Sequence, residues 1–289
     1  MQLDISLAGF VVGVVIGLTG MGGGALMTPL LVLAFGVQPL AAVSSDVVAS
    51  VVLKPIGGGI HWRRGTVHAG LVRWLALGSV PGAIGGAYFV SHVGGDIDSA
   101  LQIILGVVLL VAATAMALRS WLGAHHSGDL EGQAAQRVPV RVLPTVAVGV
   151  VGGLVVGVTS VGSGSLMIVA LMALYPALST RELVGTDLVQ AIPLVAAAAL
   201  GHLLWGDLQL DVTGSLLLGA VPGVALGAHI SSRANDAAIR PILAAVLVIT
   251  GAKLLGGSVE LLGALGVAAA VVIAPIVWRS VRPSRTRTR

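Results

Sequence analysis

Two aspartates, Asp46 and Asp187, interrupt long apolar stretches of the chain, and each follows a hydroxyl residue, Ser45 or Thr186. A carboxylate inside an apolar helix is costly unless it is paired, hydrated or protonated. Such a group can bind a proton in one state of a cycle and release it in another, which makes both aspartates candidates for proton coupling. The alternative is a structural carboxylate that accepts backbone N–H groups or pairs with Lys54.

Lys54 and Gln190 are the other polar side chains in these stretches with a candidate role. Lys54 lies about two helical turns after Asp46, on roughly the same helix face, so it is either an anion ligand or the counter-ion of Asp46. Asp187 has no basic residue on its own helix nearer than Arg181, which favours Asp187 as the carboxyl that exchanges protons. Gln190 either binds a substrate or bridges two helices.

A glycine-rich break occurs twice, as GLTGMGGGALM at 17–27 and as GVTSVGSGSLM at 157–167. A helix is expected to begin behind each break, at about Ala25 and Ser165, and the free N–H groups and positive dipole of a helix start attract anions. The alternative is that these small residues only permit close helix packing. Together with Ser45, Thr186, Lys54 and Gln190, the candidate substrate-binding residues are Thr19, Gly20, Gly22, Gly23, Gly24, Thr159, Ser160, Gly162, Ser163, Gly164 and Ser165.

Composition predicts a membrane protein that carries these residues. Of 289 residues, 56% are hydrophobic and 10% charged, and the mean hydropathy is +1.01. Abundant glycine (41 residues) and few aromatic residues favour packed helices over a barrel of alternating strands, so we expect an all-α fold. The net charge of +4 is no sign of nucleic-acid binding, because basic residues concentrate at the C-terminus, where they favour a cytoplasmic anchor on acidic headgroups: Arg279, Arg282, Arg285, Arg287 and Arg289.

The two halves of the chain repeat one plan. After the breaks, Asp46 matches Asp187, His61 matches His202, and Pro81 matches Pro222. We therefore divide the chain into a first transmembrane repeat, a cytoplasmic linker, a second repeat, and a last helix with its basic tail: 1–118, 119–141, 142–256 and 257–289.

Loop charges orient the two repeats oppositely. The arginine-bearing loop 61–68 is expected in the cytoplasm and the acidic loop 91–98 outside, whereas the acidic loop 202–211 is expected outside and the basic 231–240 inside. This predicts an inverted-repeat helical bundle with about seven spanning helices and two glycine-broken re-entrant hairpins, because the arms beside each break are short. Full crossing by both arms remains the alternative. The N-terminus is expected outside and the C-terminus inside.

Histidines and a serine among the polar residues have other possible roles. His61 and His202 lie at helix ends near Trp62 and Trp205, which favours interfacial anchoring over a proton relay. An intramembrane serine hydrolase would use Ser163 as nucleophile and His202 as base, but such an enzyme has no use for a second, inverted copy of its site. A metal site at His125, His126 and Asp129 in the linker is disfavoured, and we expect no cofactor or metal and no enzymatic activity.

Over about residues 8–256 the chain resembles the TauE/SafE family of membrane transporters, also called the sulfite exporter family. The residues that carry the resemblance are 17–24, Pro29, Gly65, Val80-Pro81-Gly82, Gly85-Gly86, 157–165, Gly185-Thr186-Asp187, Gly201-His202, Gly206-Asp207-Leu208, Val221-Pro222-Gly223 and Gly227.

The resemblance implies a secondary transporter in the plasma (inner) membrane that exports or imports sulfite, sulfoacetate, another organosulfonate or a related small anion. Another small organic anion is the alternative substrate. The chain has no phosphate-binding loop for ATP, so an ion gradient is the expected driving force. The lipid bilayer is the expected surrounding, and a homodimer stays open.

Overall fold

The computed structural model describes residues 2–19, 23–92, 96–125, 138–230 and 236–269, and within these ranges it contains helices and no β-strand. The expected all-α membrane fold is therefore confirmed. The helices are α1 (Leu3–Thr19), α2 (Gly24–Phe35), α3 (Pro39–Arg63), α4 (Ala69–His92), α5 (Ile97–His125), α6 (Val142–Thr159), α7 (Leu166–Leu174), α8 (Thr180–Trp205), α9 (Leu210–Ile230), α10 (Asp236–Leu254) and α11 (Val259–Ala269).

Six helices in the described ranges are long and apolar enough to cross a membrane: α3, α4, α5, α6, α8 and α9. The short arm expected at 143–156 is instead the helix α6, which has 18 residues and meets that criterion. Its partner arm α7 has only 9 residues, fewer than the roughly 20 that a span needs. Whether the hairpins α1–α2 and α6–α7 are re-entrant therefore stays open, as does the predicted number of seven spans.

Helices from the two halves pack against one another. α1 lies along α9, α4 lies along α6, α3 lies along α8, and α5 packs on α10. In the sequence repeat, α1 corresponds to α6 and α4 corresponds to α9, so the pair α1–α9 corresponds to the pair α6–α4. The pairs α3–α8 and α5–α10 each correspond to themselves. Two related halves would give such an arrangement, while their opposite orientation in the membrane stays a prediction.

Four stripes of glycine at every fourth residue hold these helix pairs together. A Cβ added at Gly13 of α1 would meet the backbone of Ala220 in α9, and one added at Gly153 of α6 would meet the backbone of Ser79 in α4. Without a side chain, the two backbones approach closely and gain dispersion contacts that lipid tails cannot replace. The stripes are Gly9, Gly13 and Gly17; Gly78, Gly82 and Gly86; Gly149, Gly153 and Gly157; and Gly219, Gly223 and Gly227.

Alanine at one of these glycines is expected to destabilise the bundle. In Gly223→Ala the new methyl would overlap the backbone oxygen of Phe10, and overpacking of this kind costs about 1–3 kcal/mol. Gly214→Ala in the same helix is the matched control, because a Cβ there meets nothing within 4 Å. Thermal unfolding in detergent should show a lower midpoint for Gly223→Ala alone. Equal midpoints for the two variants would contradict the tight packing of α1 on α9.

Labelling of two equivalent positions tests the inverted arrangement. Thr66 and Asp207 occupy matching places after α3 and α8, and the loop charges put them on opposite sides of the membrane. The chain contains no cysteine, so single Thr66→Cys and Asp207→Cys variants carry one thiol each. In intact cells, an impermeant maleimide should modify position 207 and spare position 66. Modification of both or of neither from outside would refute the inversion.

Candidate functional site

The second glycine-rich break is a short irregular segment between α6 and α7. Ser160 ends α6 in the left-handed region with φ 61°, and Gly162 and Gly164 also have positive φ values of 134° and 97°. A left-handed conformation is unfavourable for a serine, so the surrounding contacts must hold it there. The hydroxyl of Thr159 contributes by accepting a 3.1 Å hydrogen bond from the N–H of Val161.

The two breaks touch each other. α2 begins at Gly24 and α7 at Leu166, each within one residue of the predicted start. A Cβ added at Gly24 would overlap the backbone oxygen of Ser160, so the start of α2 lies directly against the end of α6. Gly23 is buried beside it, whereas Gly20 and Gly22 lie outside the described residues. The polar side chains described in the next paragraphs lie around the point where the two breaks meet.

Asp46 points toward the first break from α3. Its Oδ2 accepts a 2.7 Å hydrogen bond from the hydroxyl of Thr28 in α2, and both side chains are fully buried. Its Oδ1 has no hydrogen-bond partner among the described residues and would lie 3.6 Å from a Cβ added at Gly23. A buried carboxylate oxygen thus lies beside Gly23, at the start of α2.

Lys54 connects α3 with the second break. Its side chain is 6% exposed, and the Nζ donates a 2.6 Å hydrogen bond to the hydroxyl of Ser163. Asp46 on the same helix and Asp187 on α8 are both near enough to attract the ammonium group. From the sequence, Lys54 was interpreted as an anion ligand or as the counter-ion of Asp46, and Asp187 was not among its expected neighbours. α3 lies along α8, which places polar residues of the two helices next to each other.

Asp187 belongs to a chain of hydrogen bonds that reaches α4. Its Oδ1 accepts a 3.2 Å bond from the amide Nε2 of Gln190, one turn further along α8, and the Oε1 of Gln190 accepts a 3.1 Å bond from the hydroxyl of Ser79. All three side chains are fully buried. Gln190 therefore bridges two helices in this conformation, as one of its two interpretations expected.

Prolines lie close to these polar residues in both central helices. Pro55 follows Lys54 in α3, and Pro193 lies three residues after Gln190 in α8. Each proline lacks the N–H that would bond the carbonyl four residues earlier, which loosens the helix at that point. The two central helices thus each carry a proline-weakened turn close to their buried polar side chains.

Other residues predicted to bind a substrate do not contribute to this group of side chains. The hydroxyl of Thr186 accepts a 2.9 Å bond from the backbone N–H of His68, and Thr19 donates to the carbonyl of Val15. Ser45 is fully buried, and its hydroxyl has no hydrogen-bond partner among the described residues. Ser165 is buried beside the start of α7. The central cluster thus comprises Gly23, Gly24, Thr28, Asp46, Lys54, Ser79, Ser160, Ser163, Asp187 and Gln190.

His202 does not anchor the protein at the membrane surface. It is fully buried, its Nε2 donates a 2.8 Å bond to the carbonyl of Gly157, and its Nδ1 lies 2.9 Å from the hydroxyl of Ser44. Neither ring nitrogen of His202 bonds Ser163, whose hydroxyl partner is Lys54, so the expected base of the hydrolase alternative is wrong as well. His61 is partly buried and contacts Thr66.

Thr28 and Ser79 belong to the cluster although we did not predict them from the sequence. A polar signal was available for each, because Thr28 is the one hydroxyl residue of the apolar helix α2 and Ser79 lies within the repeated motif 78–82. Metal binding by the linker is not tested, since His126 and Asp129 lie outside the described residues. In the described ranges, no group of three or more His, Cys, Asp or Glu side chains is placed to hold a metal ion.

The cluster is closed in this conformation. Its polar side chains are at most 9% exposed, and a cavity of about 290 Å³ between α6 and α7 is lined by apolar residues and glycine. One ammonium group, two carboxyl groups and several hydroxyl and amide groups converge there without access to water. Such a site can exchange charged groups only when the surrounding helices move.

The chain is similar to known membrane transporter proteins. A family model described as sulfite exporter TauE/SafE matches residues 5–254. The probable membrane transporter protein YjnA of Bacillus subtilis (strain 168) is 36% identical over 261 residues, which cover 88% of this chain and 100% of that relative.

More distant relatives carry similar names. The probable membrane transporter protein YdhB of the same organism is 22% identical, covering 87% of this chain and 99% of its own. A probable membrane transporter protein of Xylella fastidiosa (strain 9a5c) is 25% identical, covering 78% and 83%. No solved structure matches the chain.

Proposed function

The chain belongs to the sulfite exporter TauE/SafE family of membrane transporters, and from that premise we propose that it moves sulfite or an organosulfonate across the plasma membrane by alternating access. Membership confirms the resemblance seen in the motifs, and with six helices suited to spanning it identifies a multi-pass membrane protein. Proton coupling through Asp187 or Asp46 is part of the proposal.

One observation carries the choice of an anion. Lys54 is a buried cation whose ammonium group is held against the second break, next to the start of α7. A buried ammonium group needs a negative partner, and the N–H groups of a helix start add favourable dipoles for an anion. The oxygens of a sulfite or sulfonate group accept several hydrogen bonds at once, which suits one ammonium group with the Ser163 hydroxyl beside it and Ser160 in the same break.

Movement of the helices around the two breaks would open the closed cluster to each side of the membrane in turn. The carbonyls freed by Pro55 and Pro193 offer weak points at which α3 and α8 can bend. In the proposed cycle, the anion enters when the cluster faces one side, the breaks close over it, and it leaves on the other side.

A flux panel in proteoliposomes of the purified full-length protein tests this function. Sulfite, sulfate, thiosulfate, sulfoacetate and lactate would be offered at two pH values. We expect sulfite or sulfoacetate to be transported fastest and to compete with one another. Transport of an organic cation in preference to every anion of the panel would contradict the proposed substrate sign.

A serine hydrolase is the second candidate, because the contact between Lys54 and Ser163 resembles the pair in which a lysine activates a serine nucleophile. A fluorophosphonate probe would label Ser163 of such an enzyme, and Ser163→Ala would abolish both labelling and any hydrolysis. For a transporter, we expect no labelling, and we expect Ser163→Ala to alter the affinity for the anion while transport persists.

A further inference from the structure

We propose that His202 is a positioning residue of the anion site: it holds the end of α6, and with it the second break, through the carbonyl of Gly157, while Ser44 orients its ring. This rests on the proposed function, because it concerns how the break is kept in place to bind an anion. The role belongs to a buried histidine that lies outside the central cluster.

The end of α6 leaves a backbone carbonyl for His202 to satisfy. The last four carbonyls of a helix lack partners inside the helix, and a buried carbonyl without a partner is costly. In a continuing helix the N–H of Val161 would bond the carbonyl of Gly157, but it donates to the hydroxyl of Thr159 instead, at 3.1 Å. The Nε2 of His202 donates to the Gly157 carbonyl at 2.8 Å in its place. The histidine therefore caps α6 from a different helix, α8.

Two contacts on opposite edges of the ring hold His202 in this orientation. The carbonyl of Gly157 can only accept, so it assigns the proton of the neutral ring to Nε2 and leaves Nδ1 as an acceptor. The hydroxyl of Ser44 in α3 shares its proton between Nδ1, at 2.9 Å, and the carbonyl of Leu40, at 2.8 Å. The side chains of His202 and Ser44 are fully buried, so no water substitutes for either contact. His202 thus connects α8 with both α6 and α3.

The capped carbonyl lies directly before the residues that we propose bind the anion. Ser160, with its left-handed backbone, follows Gly157 by three residues, and Ser163, which accepts the bond from the buried ammonium group, follows it by six. A Cβ added at Gly157 would overlap the backbone oxygen of Ala83, so α4 packs closely against the end of α6. The end of α6 is therefore held between α4 and His202, and loss of the His202 bond would let it shift together with the break.

The first repeat uses the equivalent histidine differently. His61 matches His202, but its Nδ1 contacts the hydroxyl of Thr66 in the loop after α3, at 2.9 Å, and its side chain is only partly buried. The residue that matches Ser44 is Gly185, which has no hydroxyl group to orient a ring. The cap therefore belongs to the repeat whose break carries the proposed anion site, and His61 offers a control of the same residue type.

Uptake of sulfite and sulfoacetate into proteoliposomes of the full-length protein tests the cap. The amide nitrogen of glutamine can reach the place of Nε2, whereas that of asparagine reaches only the place of Nδ1. We expect His202→Gln to keep KM within about threefold of the wild type. His202→Asn should raise KM at least about tenfold at a similar maximal rate, because the displaced break binds the anion less tightly. The same two substitutions at His61 should leave KM unchanged.

A second variant acts through the orientation of the ring. Ser44→Ala removes the contact with Nδ1 and leaves the donor to Gly157 in place, so KM should rise about threefold. An unchanged KM in folded His202→Asn overturns the proposal, since the histidine would then support folding alone, and an equal rise in His202→Gln overturns it as well. If His202→Asn is not recovered as folded protein, an unchanged KM in Ser44→Ala decides against the proposal.

Hydrogen exchange separates this role from the proposed function, because it needs no substrate. In detergent, the amides of residues 157–165 should exchange at least about fivefold faster in His202→Asn than in His202→Gln, since the break opens more often once the cap is lost. Faster exchange without transport of any anion of the panel would retain the cap and refute the proposed function. Equal exchange in the two variants, with transport intact, would refute the cap and leave the function standing.

Discussion

Replacement of Lys54 by glutamine is expected to abolish anion transport while the protein still folds. Glutamine keeps most of the length of lysine and can still donate a hydrogen bond to the hydroxyl of Ser163, but it removes the cation from a site that is only 6% exposed. Loss of one partner from a buried, hydrogen-bonded charge pair costs about 2–5 kcal/mol, which corresponds to at least about 30-fold in binding. The initial rate of sulfite or sulfoacetate uptake into proteoliposomes measures the effect.

Lys253 provides the matched control, since it is the only other lysine of the chain and lies exposed on α10. Lys253→Gln should transport at the wild-type rate, and both variants should elute as folded protein in size-exclusion chromatography. Uptake by folded Lys54→Gln at the wild-type rate and affinity would mean that the anion binds elsewhere.

Alanine at Gly24 is the second change with a large expected effect. The new methyl would overlap the backbone oxygen of Ser160, so the start of α2 and the end of α6 would have to separate at the point where the two breaks meet. Forced overpacking costs about 1–3 kcal/mol, and a shift of the breaks would also move the Ser160 and Ser163 side chains away from the aspartates and Lys54. We expect uptake to fall by at least about tenfold at equal amounts of folded protein.

Gly57→Ala is the control for Gly24→Ala. It adds the same methyl group to a glycine of the central helix α3, close to the site, where the methyl makes only ordinary contacts at 3.8 Å with Leu188. Normal transport by Gly57→Ala and loss in Gly24→Ala would tie the effect to the contact between the breaks. Normal transport by both would show that this contact can relax without cost to function.

The sequence predicted the helical class, the two breaks and most of the polar cluster because each leaves a local signal. A lipid-like run that contains an aspartate or a glycine cluster is conspicuous, and the repeat of both signals after about half the chain ruled out chance. The starts of α2 and α7 followed from the same breaks. The glycine stripes also have a local signal, their four-residue spacing, although the prediction attributed the abundant glycine to helix packing without locating the stripes.

Partnerships between side chains were harder to predict because they depend on how the helices cross. Lys54 was interpreted as an anion ligand or as the counter-ion of Asp46 on the same helix face, whereas the packing of α3 along α8 also brings Asp187 near it. His202 was placed at the membrane surface by its position near a helix end, but Ser44 and the carbonyl of Gly157 enclose it. Sequence spacing reports contacts within one helix and says nothing of the contacts between distant helices.

The pairing of α1 with α9 also concerns how the protein is made. The glycine face of α1, at Gly9 and Gly13, finds its partner only after α9 has been synthesised, nearly two hundred residues later. At about 5–20 residues per second, the first helix waits on the order of ten seconds or more in the membrane with its packing surface uncovered. α4, in contrast, meets α6 as soon as the linker has passed. Assembly of the bundle therefore begins in the middle of the chain, and the N-terminal helix is among the last to be secured.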